Sequence, residues 1–265
     1  MTNSRHRPVR TSITTCLVVT ILGLAALSAQ AQVTLVEDIN PGPGGTYMFR
    51  AGALGYAIYF NAYDGVHGEE LWVSDGTALG TYLVADIWPD TTYDESGAYS
   101  SNPQQFIAGS GGMYFMAAHR EEPLDPPIHD INLWLSDGNP GNASIVSGFE
   151  LALVNSLENA VVMGGNLMIA GWDDTQGIEL WRISSGSPTR LTDIEPDGGG
   201  SFPNELTVVG DQLFFQATNS ATSGIELWVT DGTAGGETLI DIVPGIGSSY
   251  PTDLVAFDGK VFFQA

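Results

Sequence analysis

The residues of this sequence best placed for acid–base chemistry recur at one position in a repeated motif. Glu70, Glu179 and Glu226 each stand two residues before a tryptophan. The motif reads Gly68-Glu69-Glu70-Leu71-Trp72-Val73-Ser74-Asp75-Gly76-Thr77, then Gly177-Ile178-Glu179-Leu180-Trp181-Arg182-Ile183-Ser184-Ser185-Gly186, then Gly224-Ile225-Glu226-Leu227-Trp228-Val229-Thr230-Asp231-Gly232-Thr233. A weaker copy, Asn132-Leu133-Trp134-Leu135-Ser136-Asp137-Gly138, replaces the glutamate with Asn132. Such carboxyls could act as general acids. A glutamate reused in a structural motif is better read as an acceptor for neighbouring backbone groups. Asp75, Asp137 and Asp231 each precede glycine, and an Asp-Gly pair fits a tight turn better than a ligand set.

A second group of chemically able residues is not repeated. One stretch carries Trp88, Asp90, Tyr93, Asp94, Glu95 and Tyr99; another carries His119, Arg120, Glu121, Glu122, Asp125, His129 and Asp130. Asp90, Asp94 and Glu95 offer hard oxygens that could wrap calcium, though without EF-hand spacing. His119 and His129 would make a transition-metal pair only if the proline-rich stretch between them brought them together. Trp88, Tyr93, Tyr99, His119, Arg120 and His129 form a candidate ligand-binding patch, with rings suited to stacking on a sugar or a peptide. No His-Glu-x-x-His pair, phosphate loop or nucleophile elbow occurs, so no catalytic residue is assigned.

The repeat sets the elements that hold these residues. Its tryptophans lie at 72, 134, 181 and 228, with steps of 62, 47 and 47 residues. Each unit joins four short pieces. An apolar strand ends in Asp-Ile (Leu35–Ile39, Leu83–Ile87, Leu191–Ile194, Leu239–Ile242). A segment follows that ends in a glycine turn, then an aromatic strand such as Leu213-Phe214-Phe215, then the Trp strand. The pieces are β-branched or aromatic and are bounded by Gly, Pro, Asn or Asp, which are strand and turn signals. Apolar residues at consecutive positions predict sheets covered on both faces. The fold expected is therefore all-β, a repeat protein of β-propeller-like blades of four antiparallel strands, about five units with the first and last incomplete.

The extra length of the second unit can be placed. Asp86 to Pro103 spans 17 residues where Asp193 to Pro203 and Asp241 to Pro251 span 10, and Phe115 to Trp134 spans 19 where Phe215 to Trp228 spans 13. In an antiparallel meander the two added loops emerge at the same end of the sheet, which would gather the unrepeated residues on one face. Long loops on a rigid scaffold are where binding sites tend to be built.

Residues 1–31 read as a signal peptide: Arg5, Arg7 and Arg10, an apolar run from Ile13 to Leu27, then Ala29-Gln30-Ala31 before the expected cleavage. The single cysteine, Cys16, falls inside it, so residues 32–265 have no disulfide or thiolate metal site. Net charge is −23, and the remainder is more acidic once those arginines leave. Nucleic acid and anionic membranes are thereby excluded as partners. No membrane insertion is expected after cleavage, and the localisation expected is secreted, extracellular or cell-surface, with the periplasm as the alternative. The chain opens with the first three strand types and stops at Ala265 after an aromatic strand. Residues 32–265 are therefore expected to be truncated at the C-terminus, or else to form an open or strained five-blade ring with an exposed edge.

The pattern Glu-Leu-Trp-x-Ser/Thr-Asp-Gly-Thr, with Asp-Ile-x-Pro-Gly before it and Leu-Phe-Phe-x-Ala between copies, resembles the bacterial ELWxxDGT-repeat (hyalin-repeat-like) proteins over about residues 33–265. The resemblance implies a secreted or surface-associated repeat protein and transfers no catalytic residue. Asn132 and Ser185 depart from the motif, which speaks against one shared ligand in every unit. The leading functional expectation is a non-enzymatic binding or scaffolding domain for a glycan or an extracellular protein. The alternative is a propeller-fold hydrolase or lyase with an acidic, calcium-assisted site on one face.

Overall fold

In the computed structural model the described residues are 33–42, 44–46, 48–89, 99–120, 129–148, 150–151, 156–196 and 198–265; of Arg120, His129, Asp130, Leu151 and Ser156 the backbone alone is described. The expected signal peptide lies outside them. Strands dominate the chain, and among the described residues the only helical turn is the 3-10 segment Ser156–Asn159.

Four sheets repeat one antiparallel meander. The first contains β1 (Ala51–Leu54), β2 (Ala57–Tyr63), β3 (Glu69–Ser74) and β4 (Thr81–Ala85). The second contains β5 (Gln104–Gly109), β6 (Gly112–Arg120), β7 (His129–Ser136) and β8 (Ala143–Ile145). After the two-residue β9 (Glu150–Leu151), which pairs with the far end of β11, comes the third: β10 (Val161–Met163), β11 (Asn166–Asp173), β12 (Gly177–Ser184) and β13 (Ser187–Arg190). The fourth holds β14 (Asn204–Val209), β15 (Gln212–Asn219), β16 (Gly224–Thr230) and β17 (Glu237–Ile240). A two-stranded fifth holds β18 (Thr252–Phe257) and β19 (Lys260–Gln264). The first strands of successive sheets pack together, β1 on β5, β10 on β14 and β14 on β18, with the 3-10 turn against β5 and β14. The fold is a β-propeller-like array of blades with first strands innermost.

The hydrogen-bonded sheets correct two details of the sequence reading. The strand ending in Asp-Ile closes a blade rather than opening one, because the short Asp-Gly turn pairs it with the preceding Trp strand. It also ends before Asp-Ile, at Ala85, Arg190 and Ile240, since the following residues turn away toward the next blade. Leu35–Ile39 is not a strand; among the described residues no Trp strand is available to pair with it.

The core lies between blades. Leu71 and Val73 of the first blade pack against Met113, Phe115, Ala117 and Trp134 of the second. Tyr114, Met116 and Leu133 point the other way, onto Leu167, Ile169, Trp181 and Ile183 of the third. Met168 and Leu180 in turn meet Leu213, Phe215, Ala217 and Trp228 of the fourth. Because neighbours along a strand face opposite blades, every position of the aromatic and Trp strands can be apolar. All four repeat tryptophans are buried.

Candidate functional site

Glu70, Glu179 and Glu226 are completely buried and serve as clamps. Glu226 Oε1 accepts the Ser249 N–H at 2.8 Å, and its Oε2 accepts the Ile242 N–H at 3.0 Å and the Ser249 hydroxyl at 2.6 Å. Glu70 takes the same groups from Ser101 and Ile87, at 2.5–2.9 Å. Glu179 takes Ser201 N–H and hydroxyl, the Glu195 N–H and the Thr192 hydroxyl. Each clamp ties a Trp strand to the connection entering the next blade. Burial pushes the Glu70 carboxyl up to about 7, against the lowering effect of its donors. The seryl partners went unrecognised in the sequence, although a recurring Ser-x-Pro (Ser101, Ser201, Ser249) marks them.

The glycine opening each motif has a matching cause. Gly68, Gly177 and Gly224 adopt φ of 82°, 71° and 65°, and an added Cβ would meet backbone of Tyr99, Gly198 and Gly247 in the same connections. The turn aspartates behave as expected. Asp75 and Asp231 accept the N–H and hydroxyl of Thr77 and Thr233, and Asp137 accepts from Asn139 and Asn142. Those bonds hold all three carboxyls below the ordinary range.

The described residues of the two unrepeated stretches lie at the end of the second blade where the chain enters it. Chain direction puts the connection from β4 to β5 and the connection from β6 to β7 at the same end of the sheets. Their stems touch, with the Ala118 N–H donating to the Ser101 carbonyl at 2.8 Å. Trp88 and Tyr99 close the foot of the first connection as a parallel stack, 4.7 Å between ring centres. Trp88 is buried, so one of its faces is already occupied by Tyr99. His119 lies 3.2 Å from Asn132 Nδ2 through its Nδ1 and sits edge-on to Trp134. Arg120 and His129 are cross-strand partners on the last rung of the β6–β7 hairpin. Asp90, Tyr93, Asp94, Glu95, Glu121, Glu122 and Asp125 lie outside the described residues.

Beside Glu70 the structure adds three residues to which the sequence assigned no role. Asp64 accepts the His67 ring Nδ1 at 2.6 Å and the backbone N–H groups of Val66 and His67. Burial works to raise the Asp64 carboxyl, but these bonds outweigh it and hold it below the ordinary range; the same bond raises His67. Asp86 is pushed up by burial and by Asp64, with His67 opposing. Asp173 repeats the Asp64 turn in the third blade, with Thr175 and Gln176 as donors and Arg190 at 2.9 Å. Repetition of this turn marks it as structural. Among the described residues no group of three or more His, Cys, Asp or Glu side chains converges as a metal-ligand set. No helix among them is long and apolar enough to cross a membrane.

No family model and no curated relative matches the chain. Solved structures align with the chain at low similarity. A thermostable family-43 glycoside hydrolase is 15% identical, with 81% of this chain and 80% of that one covered and a TM-score of 0.30. A puromycin hydrolase is 15% identical over 88% of this chain and 44% of its own length, at a TM-score of 0.36. A β-xylosidase/α-arabinofuranosidase from a compost microbial metagenome is 12% identical, covering 82% and 84%, at 0.30. Such values transfer no residue role.

Proposed function

We propose that this chain is a secreted β-propeller-like domain of the bacterial ELWxxDGT-repeat type that binds a glycan or an extracellular protein and catalyses no reaction. The observation supporting this reading is the engagement of the recurring acids. Glu70, Glu179 and Glu226 have no exposed surface and are filled by three or four backbone or hydroxyl donors apiece. A Glu70 carboxyl poised near 7 suits a general acid in value, but a sealed group cannot reach a substrate. What is left for recognition is the face where the two long connections of the second blade begin. There Tyr93, Arg120 and His129 would contact the ligand, with Asp90, Asp94 and Glu95 holding calcium.

The test is a deletion that spares the Trp88–Tyr99 stack. Residues 90–98 are replaced by a short Gly-Asn linker, and the purified protein is screened on a glycan array and titrated with calcium beside the wild type. The expected result is lost binding at an unchanged melting temperature. A deletion protein that binds glycan and calcium as the wild type does would sink the assignment of this face.

A further inference from the structure

The residue between the serine and the proline of each Ser-x-Pro connection is held in a left-handed backbone. Asn102, Phe202 and Tyr250 have φ of 49°, 51° and 51°. Asparagine accepts that conformation readily, whereas a bulky ring is strained there, and a following proline favours an extended residue before it. Phe202 recovers little by packing, since it is 55% exposed in the connection between the complete third and fourth blades. A side chain that costs stability and covers no core marks a position kept for what it presents to solvent.

A second ring stands beside it. Trp172, near the end of β11, is 37% exposed, and its counterpart in the fourth blade is Thr218. Trp172 is the cross-strand partner of Ile178 on one side and of Glu150 on the other, so these three side chains share one face of the sheet. The Phe202 N–H donates to the Ile178 carbonyl at 3.2 Å. Trp172 and Phe202 therefore lie two strand spacings apart, about 10 Å, at one rim of the blades. The surroundings are acidic. Glu150 and Asp174 are exposed and make no ion pair among the described residues, while Arg190 of the same blade is taken by Asp173 at 2.9 Å. The chain as a whole carries −23. Exposed rings bordered by uncompensated carboxylates attract cations through both the ring quadrupole and the local field.

We propose that Trp172, Phe202 and Glu150 form a docking site for a basic, extended segment of a partner protein. Residues three apart in an extended chain are separated by about 10 Å, so a Lys-x-x-Lys or Arg-x-x-Arg spacing reaches both rings. One cation lies over Trp172 with Glu150 accepting its N–H groups, and the other lies over Phe202. The site shares no residue with the proposed ligand face of the second blade and does not depend on it.

The experiment is a fluorescence-anisotropy titration of the purified chain with a labelled Gly-Lys-Ser-Ser-Lys-Gly peptide. Saturable binding is expected, weakening as ionic strength rises. Trp172→Thr and Phe202→Asn install the residues that the repeat carries at those positions in other blades. Each should weaken binding about threefold, the value of one exposed cation–π contact, and Glu150→Gln should weaken it as well. Phe202→Asn should melt no lower than the wild type, because the substitution relieves strain. The chain lacking residues 90–98 should bind the peptide as the wild type does. No saturable binding, equal binding of Gly-Glu-Ser-Ser-Glu-Gly, or undiminished binding by Trp172→Thr or Phe202→Asn overturns the proposal. A lower melting temperature for Phe202→Asn overturns the argument from strain, and loss of peptide binding on deleting 90–98 overturns the independence of the site. Competition by cellohexaose assigns the rings to a sugar and likewise overturns the proposal.

Discussion

Glu179 offers the sharpest test of how the blades are fastened together. Its Oε1 accepts two backbone N–H groups, Ser201 at 3.1 Å and Glu195 at 3.3 Å; its Oε2 accepts two hydroxyls, Thr192 at 2.6 Å and Ser201 at 2.7 Å. In Glu179→Ala the hydroxyls can rotate toward other acceptors and the Ser201 N–H keeps its 2.8 Å bond to the Ile178 carbonyl, but the Glu195 N–H loses its acceptor. A stranded buried donor costs about 1–3 kcal/mol, so the substitution predicts a loss of roughly 2 kcal/mol. That is a large part of the ~5–15 kcal/mol that holds a domain folded. Glu179→Gln should be milder, under about 1 kcal/mol, because the amide oxygen can keep both N–H groups while its NH₂ turns toward hydroxyls able to accept. The assay is urea unfolding of the purified chain, read as a midpoint shift at constant slope. Hydrogen exchange at the Glu195 amide should rise in the alanine variant, while the Ser201 amide stays protected by the Ile178 carbonyl. An alanine variant within about 1 kcal/mol of wild type, or glutamine as damaging as alanine, would refute the clamp, since one donor alone is worth that much.

The other predictions address different parts of the same scaffold. Trp228→Ala, which empties a buried site between the third and fourth blades, should cost about 3–5 kcal/mol in the same unfolding assay, and wild-type stability would show the ring to be no part of the core. Gly224→Ala should destabilise by at least 1 kcal/mol or so, because it sits at φ 65° with its missing Cβ facing the Gly247 carbonyl; an unchanged melting temperature would contradict that close approach. The raised Glu70 carboxyl has a definite sign. Between about pH 4.5 and 7 the folded chain keeps a proton that the unfolded chain has released, so stability present at pH 5 declines as pH rises, by roughly 3 kcal/mol across the window. Glu70→Gln should remove that slope, and parallel wild-type and variant profiles from pH 5 to 8 would count against it.

Strand types, the repeat and the burial of the tryptophans were legible in the sequence because each rests on local composition and on alternation along a strand. Blade framing was less so. Asp-Ile reads as the end of an apolar strand, yet Ile87 and Ile242 have already turned so that their N–H groups reach a glutamate. Periodicity cannot reveal such a turn, because the partner lies 16 or 17 residues away in the chain. The clamp serines were hidden for the same reason, with separations of 22 to 31 residues. Nor could composition separate a wet aromatic from a structural one. Trp88 and Tyr99 read as an open platform, but one of their faces is spent on each other.

Asn132 shows how the second blade does without the clamp. A glutamate there would need the connection after β8 to return an N–H and a hydroxyl, as Ser201 and Ser249 do elsewhere. That connection instead carries β9, which pairs with β11 through Leu151 and Glu150. Asn132 turns to His119, which packs edge-on against Trp134, while β6 and β7 pair for eight rungs, from Met113 opposite Ser136 to Arg120 opposite His129. The β2–β3 pair of the first blade, which keeps its glutamate, stops after six. The loss of the clamp therefore coincides with the longest pairing of an aromatic strand with a Trp strand among the described residues. A buried carboxylate filled by a neighbouring blade fixes its strand in place. An asparagine bonded to His119 of its own hairpin lacks that tie to a neighbouring blade, which is the substitution the proposed use of this face for recognition would call for.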